Sequence, residues 1–139
     1  MRRVIRLAPL ALLLAFVAGC VYYPTVADTG SPRLEPKNGR LVRTETGAVC
    51  YFDLDSTGKY GDTLVGAESL FARRVQIEGA DGAPVRSIVI AGDSRLDFRP
   101  DGLRVTLSEL VEPLVPGEGA IVTLVFAKSG RIGVVSRVE

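Results

Sequence analysis

The chain has 139 residues, with 17 Lys and Arg against 16 Asp and Glu, and it contains no His and no Trp. That near-neutral balance, with no basic run beyond the first residues, leaves no electrostatic footprint for nucleic acid. Without His, a Ser–His pair for acyl transfer is excluded and no imidazole is on offer to a metal.

The first elements set the address. Arg2, Arg3 and Arg6 form a basic start, and the apolar run "LAPLALLLAFVA" (Leu7 to Ala18) ends in small residues. That run is too short to span a bilayer with ease, so residues 1–19 read as a secretory signal peptide rather than a membrane helix. The junction "VAGC" (Val17 to Cys20) resembles a bacterial lipobox, which implies cleavage before Cys20 and lipidation of Cys20. An ordinary signal peptide followed by a chance cysteine is the alternative. Acyl chains would hold the protein on a membrane through buried CH₂ groups, at about 0.8 kcal/mol each. The expected location is extracytoplasmic, lipid-anchored to a bacterial membrane, in the periplasm or on the cell surface. Val21 stands where some bacteria use Asp to retain lipoproteins at the inner membrane, which leans toward the outer leaflet or surface.

Loss of Arg2, Arg3 and Arg6 leaves 14 Lys and Arg against 16 Asp and Glu, a net charge of −2 for the mature chain. The chain's one Met is Met1, which leaves with the signal peptide, so the mature protein has no thioether. With Cys20 acylated, Cys50 has no partner within the chain for a disulfide.

Residues 20–40, "CVYYPTVADTGSPRLEPKNGR", are rich in Pro, Gly, Asp and Ser and lack periodicity, the texture of a flexible tether. From Leu41 to Glu139 the chain turns into short alternating runs cut by turn residues. "GAVCYFDLD" places Val49, Tyr51 and Asp53 on one face and Cys50, Phe52 and Leu54 on the other. "STGKYGD" is a loop. "TLVGAESLFARRVQIE" holds one or two strands, and "ESLFARR" within it has a pull toward a helical turn. After "GADGAP" come "VRSIVI", "AGD" and "SRLDFR", then the tight turn "RPDG". "LRVTLSEL" points Leu103, Val105 and Leu107 one way and Arg104, Thr106 and Ser108 the other. "AIVTLVFAK", "SG" and "RIGVVSRVE" close the series. Period-two alternation at regular spacing predicts one all-β domain over residues 41–139, a sandwich or barrel.

Three of these segments, taken in order, resemble the periplasmic copper chaperones of the PCu(A)C type. "GAVCYFDLDSTGKYGDTLVGAESLFARRVQIE" is similar to that family's opening strands. "LDFRPDGLRVTLSELVEPLVPGEG" is similar to its His-x-Met stretch, and "AIVTLVFAKSGRIGVV" to its ending. The resemblance covers Thr46 to Val138 and implies a cupredoxin-like or immunoglobulin-like Greek-key β-sandwich. It also implies Cu(I) as the cargo and, as a partner, a copper or oxidase-assembly protein that receives the metal for a copper centre. The family's ligands are two His and two Met, donors that suit a soft ion. The positions that resemble three of them are Glu78, Arg104 and Thr106, none of which is a ligand of that type. The fourth, a Met in the segment after Glu78, has no counterpart. Arg104 is a fixed cation and cannot ligate a metal. An ion pair between Arg104 and Glu78 is the expected occupant of this place.

Cys50 shares its face with Phe52 and Leu54, which argues for a small core residue over a thiol ligand for Cu(I). Asp53, Asp55, Asp62 and Glu68 lack EF-hand spacing and read as solvated loop carboxylates. Ser56, Ser69 and Ser108 have no base to activate them, so no enzyme is expected. Three functional readings follow. The chain is a membrane-tethered, copper-chaperone-like protein with the usual Cu(I) site lost, or a non-metal binding module that uses the face of Glu78, Arg104 and Thr106. A purely structural envelope lipoprotein is the third.

Overall fold

The computed structural model describes residues 31–139. The signal peptide, Cys20 and the first part of the tether lie outside the described residues. Among the described residues there are nine strands and no helix. They are β1 (Leu34–Arg43), β2 (Gly47–Ser56), β3 (Asp62–Glu68), β4 (Ala72–Glu78) and β5 (Ile88–Ile90), then β6 (Ser94–Phe98), β7 (Arg104–Leu110), β8 (Gly119–Phe126) and β9 (Gly130–Val138).

Two expectations need correction. The tether does not run to Arg40, because β1 begins at Leu34 and pairs antiparallel with β2 from Leu34 opposite Ser56 onward. "LEPKNGR" reads as coil because Pro36, Asn38 and Gly39 interrupt its pattern. In the fold those residues flank or form a register shift between Lys37 and Arg40, and a bulge tolerates them. Asn38 there adopts φ 55°, a left-handed conformation that Asn accepts more readily than most side chains. Nor does "ESLFARR" form a helical turn: a turn at Leu70 and Phe71 leads straight into β4, and the ladder with β7 outweighs local helix propensity.

The strands form one curled sheet in the order β4-β7-β2-β1-β9-β8-β3-β5, with β6 also on β2. β2 serves two partners in succession, β7 along Gly47–Cys50 and β6 along Phe52–Ser56. β1 joins the two halves, antiparallel to β2 and parallel to β9 at Gly39–Leu41. The curl brings β3 against β4 and closes the two layers on one core. This is the cupredoxin-like, immunoglobulin-like β fold that the alternation and the resemblance together predict.

The core follows the period-two pattern. Leu41, Cys50, Leu54, Leu64, Val105, Val122 and Leu124 are fully buried. Each large aliphatic among them contributes about 1.5–3 kcal/mol of transfer free energy. Phe52 and Phe98, opposite each other on β2 and β6, stack with ring centroids 4.2 Å apart. Asp62 departs from the solvated reading. It is 3% exposed and accepts hydrogen bonds from the N–H groups of Thr63, Lys128 and Ser129 and from the Ser129 hydroxyl. It thereby ties the β8–β9 turn to the start of β3. Burial pushes its carboxyl up, but these donors outweigh burial and leave the pKa lowered.

Candidate functional site

β4 and β7 run antiparallel with Glu78 opposite Arg104 and Gln76 opposite Thr106. Ile77 and Val105, the intervening residues, are 3% and 0% exposed and face the core. The pleat therefore sends Gln76, Glu78, Arg104 and Thr106 together to the outer face. Sequence reasoning named the last three. It missed Gln76, whose signal was its place two residues before Glu78 on the same strand.

Gln76, Glu78 and Arg104 make a closed polar patch, with Thr106 beside them. Arg104 Nε lies 3.4 Å from Glu78 Oε2, so the expected ion pair forms. Gln76 Nε2 donates to Glu78 Oε1 at 2.9 Å, and Arg104 Nη1 donates to the Pro100 carbonyl at 3.4 Å. The Arg104 and Glu78 side chains are 24% and 14% exposed. Both oxygens of Glu78 are thus already engaged. The Thr106 hydroxyl is cut off from solvent and makes no hydrogen bond to any described residue. An unpartnered hydroxyl of this kind costs about 1–3 kcal/mol. Its cross-strand neighbours are Val49 and Gln76, so this position suits an apolar side chain better than a hydroxyl.

Cys50 lies on the other face of the sheet. It is fully buried, pairs in register with Val105, and its Sγ is 3.4 Å from Ser136 Oγ. Burial pushes the thiol up to about 11, only partly offset by Ser136. Cys50 thus sits in the core, as its shared face with Phe52 and Leu54 argued, and the thiol-ligand alternative does not fit: the thiol stays protonated at neutral pH and the sheet separates it from Glu78, Arg104 and Thr106. Among the described residues no group of three or more His, Cys, Asp or Glu could hold a metal ion.

Asp53 also departs from the solvated reading. Its side chain is 9% exposed and sits between β1 and β6. It accepts from Asn38 Nδ2 at 2.9 Å and pairs with Arg95 at 2.8 Å and Arg99 at 3.2 Å. The Asn38 hydrogen bond, with the charges of Arg95 and Arg99, outweighs burial and holds the carboxyl below the usual carboxylate range. Asp55 beside it pairs with Lys37 at 3.0 Å. Its neighbours make this a structural charge network, with no lone carboxylate oxygen aimed at a cation.

Comparison with known proteins places this geometry. Residues 30–138 match the LpqE-like lipoprotein family. The chain belongs to that family. Among solved structures, the copper-bound PCuAC domain from PmoF2 is 27% identical, with a TM-score of 0.68 over 78% of this chain and 97% of that domain. The apo PCuAC domain from PmoF1 is 20% identical, with a TM-score of 0.69 over 78% of this chain and 98% of that one. The solution structure of CuI-DR1885 from Deinococcus radiodurans is 20% identical, with a TM-score of 0.62 over 91% and 85%. The last two likenesses bear on the fold alone. No curated protein sequence matches the chain. The family is one of lipoproteins by its description, in keeping with an extracytoplasmic location, and no helix among the described residues is long and apolar enough to cross a membrane.

Proposed function

We propose that this LpqE-like protein is a lipid-anchored, extracytoplasmic relative of the copper chaperones that does not carry Cu(I) at the usual site. It uses the outer face of β4 and β7 to dock a protein of copper delivery or oxidase assembly. The family match and the PmoF2 likeness support the copper-chaperone-like setting. The "VAGC" junction supports the anchor at Cys20. One observation carries the loss of Cu(I) binding: at the place that resembles the ligand set, Glu78 and Arg104 satisfy each other and Thr106 offers only a hydroxyl. A carboxylate, a guanidinium and a hydroxyl are the wrong donors for a soft monovalent ion, and Arg104 repels it.

The test is a Cu(I) competition titration against a chromogenic chelator, on residues 31–139. Wild type is expected to take no copper from even a weak competitor. The triple variant Glu78→His, Arg104→His, Thr106→Met is expected to take up one equivalent. Stoichiometric uptake by wild type would end the reading.

A further inference from the structure

We propose that the cavity beside the β1 bulge binds a phosphate group between Arg40 and Arg137. The cavity has a volume of about 360 Å³ and opens on the outer surface where β1, β2, β9 and the end of β6 meet. It is distinct from the Glu78–Arg104 patch, and the copper-chaperone resemblance does not account for it.

Arg40 on β1 and Arg137 on β9 are register partners in the parallel pair, so their side chains leave the same face side by side. Their Cα atoms are then about 4.8 Å apart. Like charges directly opposite each other in a sheet are destabilising. Little in the protein relieves them. The Arg137 side chain has no hydrogen bond or ion pair to any described residue, and the Arg40 side chain has only Glu139 Oε1 at 3.9 Å and the face of Tyr51 at 5.7 Å. An anion bridging the two guanidinium groups removes the repulsion and satisfies both.

The rest of the cavity is built rather than incidental. Its third cation, Arg99, is held by the buried Asp53, which the left-handed Asn38 of the bulge also anchors. The bulge thus fixes one wall while Tyr51 and the Phe52–Phe98 stack line another. Asp53 is taken up by Asn38, Arg95 and Arg99, so it does not compete for Arg40 or Arg137. Glu139 does compete, but at 3.9 Å and with 47% of its side chain exposed it is readily displaced. Two guanidinium groups side by side offer N–H donors in more than one plane, whereas the two oxygens of a carboxylate lie in one plane, so oxygen atoms set tetrahedrally serve both groups better. A tetrahedral phosphate supplies them, and arginine forks match its geometry. The source is either free phosphate or the phosphodiester of a lipid headgroup.

The experiment is a titration of the full chain in zwitterionic detergent, at constant ionic strength, with two probes. One is inorganic phosphate; the other is glycerophosphoglycerol, the headgroup of phosphatidylglycerol. The readouts are the thermal midpoint and the Arg Nε–H resonances. Saturable 1:1 binding of either probe, with shifts centred on Arg40 and Arg137, supports the proposal, and the tighter probe identifies the source. Arg137→Gln and Arg40→Gln are each expected to weaken binding by about tenfold, the loss of one charge-assisted contact. Arg73→Gln, an equal change of charge on β4, is expected to leave it unaltered. Three results overturn the proposal: no saturation by either probe, unchanged binding in Arg137→Gln, or an equal response to acetate.

Discussion

Two pairs of charged residues stand in the same relation on this sheet. Glu78 faces Arg104 across β4 and β7, and Arg40 faces Arg137 across β1 and β9. The first pair is opposite in sign, closes at 3.4 Å, and recruits Gln76 as a third member. The second is alike in sign and lines a cavity. Register alone put each pair together; charge decides what each then does. The closed pair stands where the resemblance sets copper ligands, and it needs nothing from outside. The open pair stands where no ligand was sought, and it is the one left with unmet valence.

If the open pair depends on a built wall, removing the anchor of that wall has the largest effect. Asp53→Ala takes one partner from each of Asn38, Arg95 and Arg99 at once, leaving the two arginines with Asp97. It is expected to cost about 2 kcal/mol, read by urea denaturation, and to weaken the phosphate response as Arg99 loses its shorter contact. A loss under about 1 kcal/mol with an unchanged phosphate titration would show that the cavity does not rest on Asp53. The same carboxyl bears on pH. Asp53 and Asp62 both have lowered pKa values in the fold. Their stabilisation is therefore complete above the unfolded carboxylate value, about 4, and is lost as pH falls through the folded values below it. Wild type should hold its stability from neutral pH down to about 5 and lose it steeply in more acid solution. Asp62→Asn should flatten that acid limb. An acid limb unchanged in Asp62→Asn would mean that Asp62 is not held in its charged form.

The β-sandwich was legible because strand alternation reports a buried face directly: Cys50, Phe52 and Leu54 against Val49 and Tyr51, and Val105 and Leu107 against Arg104 and Thr106. The Glu78–Arg104 pair was legible too, since a family resemblance supplied the register that one sequence cannot. What failed was whatever depended on register without such a guide. "LEPKNGR" hid β1, because its bulge spends Asn38 and Gly39 on a local kink. Asp53 and Asp62 read as solvated, because their partners Asn38, Arg99 and Ser129 lie in other segments and only the folded chain brings them together. Arg40 and Arg137 are 97 positions apart in sequence and meet only through the parallel β1–β9 pairing. Nothing in either local stretch marks them.

Charge reversal tests whether sign, rather than position, separates the two pairs. Arg137→Glu makes the open pair resemble the closed one, and Arg104→Glu does the opposite on β7. At about 5 Å in a water-like dielectric one such pair is worth about 0.8 kcal/mol. Arg137→Glu should therefore raise stability by up to about 1 kcal/mol in phosphate-free buffer, and Arg104→Glu should lower it by at least as much. Phosphate should stabilise wild type and no longer stabilise Arg137→Glu. Equal destabilisation by both reversals would mean that local packing, not charge, governs the two places.

The smallest effect concerns the closed pair itself. A double-mutant cycle of Glu78→Gln and Arg104→Gln isolates the coupling between them. Both side chains are more than three-quarters buried, yet the Nε–Oε2 separation is long at 3.4 Å. These features set the expected coupling at about 0.5–1 kcal/mol, the upper part of the surface range. Raising the salt from 0.1 M to 1 M shortens the screening length from about 10 to about 3 Å, so a solvent-exposed pair would lose most of its coupling. This pair should keep more than half, because Gln76 and the Pro100 carbonyl hold the two groups where ions reach them poorly. A coupling that vanishes in salt would open the patch to solvent. It would then behave like the Arg40–Arg137 pair, and docking by a partner would have to be sought through its charges rather than its shape.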